Sequence, residues 1–537
     1  MSLLEIKGLN LSIAGKPILR DVDLTVAKGE IVAVTGESGS GKSITAFSIM
    51  QLLPEGAEIS GAIQLDGTEL TTLPETRLCA LRGARIGMVF QEPMSALNPV
   101  KTIGDQVAET ILIHGAMPKD QARAQAHEML DRVGLPPDQF SPTRFPHELS
   151  GGQRQRVVIA MAIALRPDLL IADEPTTALD VTTQAQILDL LKGLVAEFDM
   201  GLLMITHDLA VVSDMADRIV VMRAGEVVET GPTRQLFARM RHPYTRMLFE
   251  ASRHSVDLPE KHSSEPLLSV QNVVRAYRLP RTKLFAPAEY HRAVDRVSFT
   301  LRKGERLGLV GESGCGKSTL TRAILGLEPV QGGQILLNGA SVYTERGADL
   351  AVRRGMQVVF QDPFGSFNPR HRVARLITEP YHLLEKSPSG AARADAVAEA
   401  LRAVGLSPDD AGKYIHEFSG GQRQRIAIAR ALIIKPDLIL FDEAVSALDV
   451  SVRARILDLV AELCESHDLS YLFISHDLSV VRTITDRVLV MRAGRIVEEG
   501  ETEQVFSHPT HPYTRALIAA APVLPDIDTQ HRSHPHV

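Results

Sequence analysis

The chain has 537 residues, enough for two cores of roughly 250 residues each, with 44% apolar and 23% charged residues and no excess of Gly (39) or Pro (30). Wholesale disorder and a small disulfide-stapled domain are excluded. A net charge of −7 argues against the positive excess that a nucleic-acid footprint needs.

Cys79, Cys315 and Cys464 are far apart and form no CxxC pair, which fits a reducing compartment and argues against a zinc site. The first fifteen residues lack a long apolar core behind a basic start, so no secretory signal is expected. The longest apolar runs, such as 157–165, reach about half of the roughly 20 residues that a membrane helix needs.

Along the chain, residues 31–34 predict a strand running into a Gly-rich turn and then a helical pattern. The turn, Gly36, Glu37, Ser38, Gly39, Ser40, Gly41, Lys42 and Ser43, followed by Ile44, fits GxxxxGK(S/T). Such a loop wraps backbone N–H groups around phosphates, brings a lysine to the β and γ phosphates and offers a hydroxyl to Mg²⁺. A dinucleotide loop of the GxGxxG kind lacks that lysine and is the weaker reading. The continuous apolar run 169–172 predicts a strand buried on both faces and ends in Asp173-Glu174, which places two carboxylates at its carboxyl end. Beside phosphates, the first carboxylate suits the metal and the second the attacking water. The fold class is therefore α/β, with a mainly parallel sheet.

These blocks recur. GESGSGKS (36–43) returns as GESGCGKS (311–318), giving Gly311, Glu312, Ser313, Gly314, Cys315, Gly316, Lys317 and Ser318, followed by Thr319. FQEPMSALNP (90–99) returns as FQDPFGSFNP (360–369), LSGGQRQR (149–156) as FSGGQRQR (418–425), and HPYT (242–245) as HPYT (511–514). Asp173-Glu174 returns as Asp442-Glu443, and His207, 33 positions after its Glu, returns as His476. The polar stretch 253–266, with two prolines, predicts a linker. The expected organisation is two tandem domains, 1–252 and 267–520, and a polar tail, 521–537.

Together the phosphate loop, Gln91 and Gln361, the SGGQ signatures, the Asp-Glu pairs, ALD (178–180 and 447–449) and the single His resemble the ATP-binding cassette (ABC) ATPases over nearly the whole chain. The resemblance implies two P-loop domains, each with a RecA-like core, an antiparallel β subdomain and a helical subdomain near 93–160 or 363–429. It implies two ATP and Mg²⁺ bound head to tail. Site one would join Lys42, Ser43, Gln91, Asp173, Glu174 and His207 to Ser419, Gly420, Gly421 and Gln422. Site two would join Lys317, Ser318, Gln361, Asp442, Glu443 and His476 to Ser150, Gly151, Gly152 and Gln153. Asp180 and Asp449 would be the D-loop residues, with Ser43, Gln91, Asp173 and Ser318, Gln361, Asp442 as the metal sets. No lost Glu, His or signature Gly marks either site as degenerate, so both are expected to hydrolyse ATP. Family members stack an aromatic residue on adenine; Tyr277 fits that place in half two, whereas half one has Ile13.

The Gln-loop extensions, the two HPYT segments and the insert between Tyr277 and Ala293 look like the fused twin-cassette ATPases of the peptide, nickel and glutathione importer group, closest to the type serving microcin C and oligopeptide uptake. Taken alone, HPYT is also a helix start with Pro in the first turn. The group implies two integral-membrane permease subunits, an extracytoplasmic solute-binding protein, a peptide-like cargo and a peripheral place on the cytoplasmic face of the bacterial inner membrane. With no Cys after the HPYT within either half, no iron-sulfur cluster is expected. Cys315 reads as a tolerated small residue in its loop, and His531, His534 and His536 as solvated. The alternative is a soluble twin-cassette factor acting on ribosomes or DNA, which the short linker and negative charge disfavour.

Overall fold

The computed structural model describes residues 2–525 apart from 116, 178, 257, 259–262, 280–288, 346, 363, 364, 447 and 468. Both ALD alanines, parts of the linker, of the 277–293 insert and of the second Gln-loop extension, and the tail histidines lie outside the described residues.

Each half is built on a six-stranded sheet. In half one Ile86–Val89, Leu169–Asp173, Gly201–Ile205, Ile31–Thr35 and Arg218–Arg223 run parallel, and Glu226–Pro232 closes one edge antiparallel. Half two repeats this with Met356–Phe360, Leu438–Asp442, Ser470–Ile474, Arg306–Val310, Arg487–Arg492 and the antiparallel Arg495–Glu501. The central strands are apolar along their interiors because both faces are covered, with polar residues such as Thr35, Asp173, Arg306, Asp442 and Ser470 at their ends. Leu170, Ala172, Leu202 and Met204 enter one core, while Leu169, Ile171, Leu203 and Ile205 enter the other.

The second core is capped by an antiparallel sheet of Ser2–Ile13, Lys16–Ala27, Ala57–Leu65 and Thr68–Glu69. Its counterpart comprises Pro266–Arg278, Tyr290–Arg302, Gly332–Leu337 and Ala340–Ser341. The first core continues into the helical subdomain through Ile103–His114, Lys119–Arg132 and Gly151–Ile163. Half two places Val373–Ile377, Gly390–Ala403 and Gly420–Leu432 there. It also carries a small hairpin, Tyr343–Thr344 with Gly347–Ala348, in the stretch where the spacing between repeats changes.

The halves are not merely tethered. Val181 of half one is buried in the core of half two, and Leu524, at the start of the stretch after half two, packs against the core of half one. No helix among the described residues is long and apolar enough to cross a membrane.

Candidate functional sites at two phosphate loops

The parallel register brings the chemistry to one edge. Val34 and Asp173 both pair with Ile205, so the phosphate loop after Thr35, the Asp-Glu pair and His207 leave the sheet side by side at its carboxyl end, where open α/β sheets bind ligands. Half two repeats the register around Ile474.

The loop needs its glycines for close approach. A Cβ on Gly36 would lie 2.2 Å from the Met222 carbonyl oxygen, and one on Gly311 the same distance from that of Met491. Gly41 (φ 104°) and Gly316 (φ 112°) are left-handed just before the helices Lys42–Met50 and Lys317–Ile324. Lys42 is 7% exposed, and its Nζ donates to the Gly36 and Glu37 carbonyls at 2.8 and 2.9 Å. Lys317 makes the same pair of bonds, at 2.7 and 2.9 Å. Burial pulls the Lys42 ammonium below its ordinary range, against the attraction of Glu174, Asp449, Asp173 and Glu37.

Around loop one a connected network forms. The Ser43 hydroxyl donates to Asp173 at 3.1 Å, Gln91 Nε2 to Glu174 at 2.9 Å and Thr177 Oγ1 to Glu174 at 2.8 Å. His207 Nδ1 lies 3.2 Å from the other Glu174 oxygen. Burial pushes the Asp173 carboxyl up to about 6. Burial also acts on Glu174, but hydrogen bonds from His207 and Thr177 with the charge of Lys42 outweigh it and hold that carboxylate at about 2. His207 is correspondingly raised, Glu174 overcoming the effect of burial.

Loop two is looser. Asp442 is likewise pushed up to about 6 by burial, yet His476 stands 3.5 Å from Glu443 and Gln361 donates to Ser446 at 3.3 Å instead of reaching the Glu. Both glutamates have left-handed backbone, φ 48° at Glu174 and 52° at Glu443, each with its N–H donating at 2.9 Å to the neighbouring strand. For a non-glycine residue this conformation is sparsely populated, and it aims the carboxylate away from the strand's own direction. Composition and spacing carry no signal for it.

The signature residues begin helices. Ser150 accepts from the Gln153 N–H while Gln153 Oε1 accepts from the Ser150 N–H, and Ser419 with Gln422 repeats the box, which fixes the starts of the helices Gly151–Ile163 and Gly420–Leu432 at the signature glycines. Among the described residues no hydrogen bond joins a signature to the opposite phosphate loop.

The D-loops do cross. Asp449 Oδ1 accepts from the Ser38 N–H at 2.8 Å, and Asp180 Oδ2 from the Ser313 N–H at 3.3 Å. Ser451 also donates to the Glu37 carboxylate. Each half's phosphate loop therefore meets the D-loop of the other half.

Tyr277 lies on Pro266–Arg278 with its hydroxyl on Glu328 and the Arg275 guanidinium 4.6 Å from its ring centre; Ile13 ends the matching strand. Cys315 is 7% exposed, and burial raises its thiol.

Each HPYT segment starts a helix, as its proline predicts, at Pro243–Ser252 and Pro512–Ala519, with His242 and His511 as caps accepting from the Tyr244 and Tyr513 N–H groups. The tyrosines themselves reach the phosphate loops, a contact spacing alone did not suggest.

Residues 19–177 and 294–446 match the family described as ABC transporter, and 228–265 and 497–536 match the oligopeptide/dipeptide transporter C-terminal region. The chain is 46% identical over 542 residues to the glutathione import ATP-binding protein GsiA of Shigella dysenteriae serotype 1, covering 94% of this chain and 86% of that one. It is 46% identical over 561 residues to the protein of the same name from Salmonella typhimurium strain LT2, covering 97% and 90%. A solved dimeric ATP-binding cassette in a post-hydrolysis state with ADP and Pi covers 43% of this chain and 99% of its own, at 32% identity and a TM-score of 0.39.

Proposed function

The chain belongs to the ABC transporter family, and from that premise we propose that it is the ATP-hydrolysing subunit that powers import of peptide-like solutes, with two composite ATP sites on one polypeptide. The observation that carries the composite arrangement is the crossing of the D-loops, Asp449 onto loop one and Asp180 onto loop two. Its domains are 1–252 and 267–520, joined by 253–266 and followed by the tail 521–537.

At site one the Lys42 ammonium and the loop N–H groups hold the β and γ phosphates, and Glu174 orients and deprotonates the attacking water. His207, bonded to Glu174, keeps that carboxylate fixed and ionised. Glu443, His476 and Lys317 take the same roles at site two. Opposite each γ phosphate, the N–H groups of the paired glycines at the start of the other half's signature helix complete the cradle. Tyr277 stacks on adenine at site two through the ring face away from Arg275.

The residues also suit Mg²⁺. Ser43 Oγ, an Asp173 carboxylate oxygen 3.1 Å from it and the Gln91 amide are hard oxygen donors, as are those of Ser318, Asp442 and Gln361. When bound, the ion would supply positive charge to offset that of the phosphates. Asp173 and Asp442, both raised by burial, are carboxylates that a neighbouring cation would favour in the ionised form.

Transport then requires partners outside this chain: two membrane-embedded permease subunits gripped by the helical subdomains at the cytoplasmic face of the bacterial inner membrane, and a solute-binding protein that delivers cargo. The C-terminal regions matched to oligopeptide/dipeptide transporters favour this over the ribosome- or DNA-acting alternative. Gentle purification from native membranes tests it. Two multi-span proteins should accompany the chain; ribosomes or nucleic acid without a membrane partner would overturn the importer reading while leaving the ATPase.

A further inference from the structure

Both HPYT helices are built into the nucleotide sites without supplying a reacting group. The Tyr244 hydroxyl oxygen accepts from the Glu37 N–H at 2.9 Å, and the Tyr513 hydroxyl oxygen from the Glu312 N–H at 3.0 Å. Glu37 and Glu312 are the second residues of the two phosphate loops. Two copies of the geometry, differing by 0.1 Å, make a chance contact untenable.

Each tyrosine is fixed from every side. Its ring lies under a guanidinium, Arg223 at 5.0 Å in half one and Arg492 at 4.9 Å in half two. Its own N–H is capped by His242 or His511. The backbone before it is pinned by Glu229, which accepts from the Arg241 and His242 N–H groups at 2.8 and 3.1 Å, and by Glu498, which accepts from Thr510 and His511 at 2.7 and 3.1 Å. Both rings are nearly inaccessible, at 3% and 6% exposure.

The far ends of the helices cross to the opposite half. Pro243–Ser252 packs on the helix Val450–His467, and Pro512–Ala519 on Val181–Phe198. Beyond them, His254 lies 2.6 Å from Asp458, Val256 packs against the core of half two and Leu524 against that of half one.

We propose that Tyr244 and Tyr513 are positioning residues for ATP turnover, each acting as a strut that holds the entrance of its phosphate loop in the conformation that receives the phosphates, braced against the other cassette. Neither touches a reacting atom; each acts through the loop backbone. Burial pushes both phenols up to about 12, so the groups stay neutral at working pH. A Phe in place of Tyr keeps the ring, the guanidinium contact and the helix packing, and removes only the acceptor. The Glu37 or Glu312 N–H is then left without its partner beside the loop, which loosens the loop before substrate arrives. Such a loss weakens ground state and transition state alike, so it raises KM and spares kcat.

The test is steady-state ATP hydrolysis by the full chain carrying Y244F and Y513F together, with the thermal unfolding midpoint measured in parallel. The expected result is an ATP KM raised about five- to ten-fold, with kcat within about two-fold of the parent and the midpoint nearly unchanged. A KM within about two-fold of the parent overturns the proposal, as does a lowered midpoint or kcat with KM unchanged, which assigns the tyrosines to packing alone. Should the double variant not fold, Y244F and Y513F taken singly must each raise the ATP KM by at least about three-fold with kcat within about two-fold of the parent; a KM at the parent value in both overturns it equally.

Discussion

Asp173 and Glu174 are chain neighbours with opposite electrostatics. Burial dominates the first and lifts it to about 6, whereas a histidine, a threonine and a lysine reverse the same burial for the second and hold it at about 2. The ionised Glu174 suits a base toward water, and losing its charge while keeping its shape removes that role. E174Q and E443Q are each expected to lower the rate of ATP hydrolysis by about a hundred-fold or more, measured as phosphate release at saturating ATP. Near-parental turnover in either variant would show that its site is not hydrolytic. The types of these residues were legible in the sequence because phosphate chemistry demands them at fixed spacing. The left-handed backbone at both glutamates was not, since a Glu at φ near 50° is imposed by the sheet edge and not by any local preference.

Among the elements, the signature helices are held by small residues. A Cβ on Gly152 would stand 2.2 Å from Thr183 Cγ2, and one on Gly421 would stand 2.4 Å from Val452 Cγ1, so the signature helix and the helix after the D-loop touch backbone to side chain in both halves. G152A should therefore destabilise by about 1–3 kcal/mol, although alanine is the better helix former. T183S removes the offending methyl and keeps the hydroxyl that donates to Asp180, so G152A/T183S should recover most of the lost unfolding temperature. If G152A melts with the parent, the contact is not that close in solution. The turn before the second HPYT helix offers a pH test. Burial would raise Glu498, but the hydrogen bonds of that turn hold it at about 2 against an ordinary 4.5, so its stabilising effect is complete above 4.5 and fades as pH falls toward 2. The melting deficit of E498Q should be larger at pH 7 than at pH 3.5; a constant deficit would deny the linkage. Helix starts such as these were legible because Ser and Pro mark them. The bond from Tyr244 to Glu37 was not, because 207 positions separate the partners. Nor was the hairpin at 343–348, whose strands are two residues each.

At the scale of the molecule, duplication was plain in the sequence, but how two copies face each other depends on surfaces that no motif records. The family resemblance supplied the head-to-tail expectation, and the crossing D-loops give it a specific geometry in which Ser38 meets Asp449, 411 positions away, and not Asp180 of its own half. That geometry can be read without any activity. In a background of C79S, C464A and C315S, the last of which gives loop two the same residues as loop one, the pair S38C/D449C puts thiols on two residues joined by a backbone N–H to carboxylate bond of 2.8 Å. A short thiol-bridging reagent should close a large intramolecular loop, seen as a faster-migrating monomer band on a denaturing gel. S38C/D180C should leave the band unshifted. The opposite pattern would place each D-loop on its own half's phosphate loop, and the two ATP sites would then have to be complete within single cassettes, with no reason for the fusion to bring them face to face.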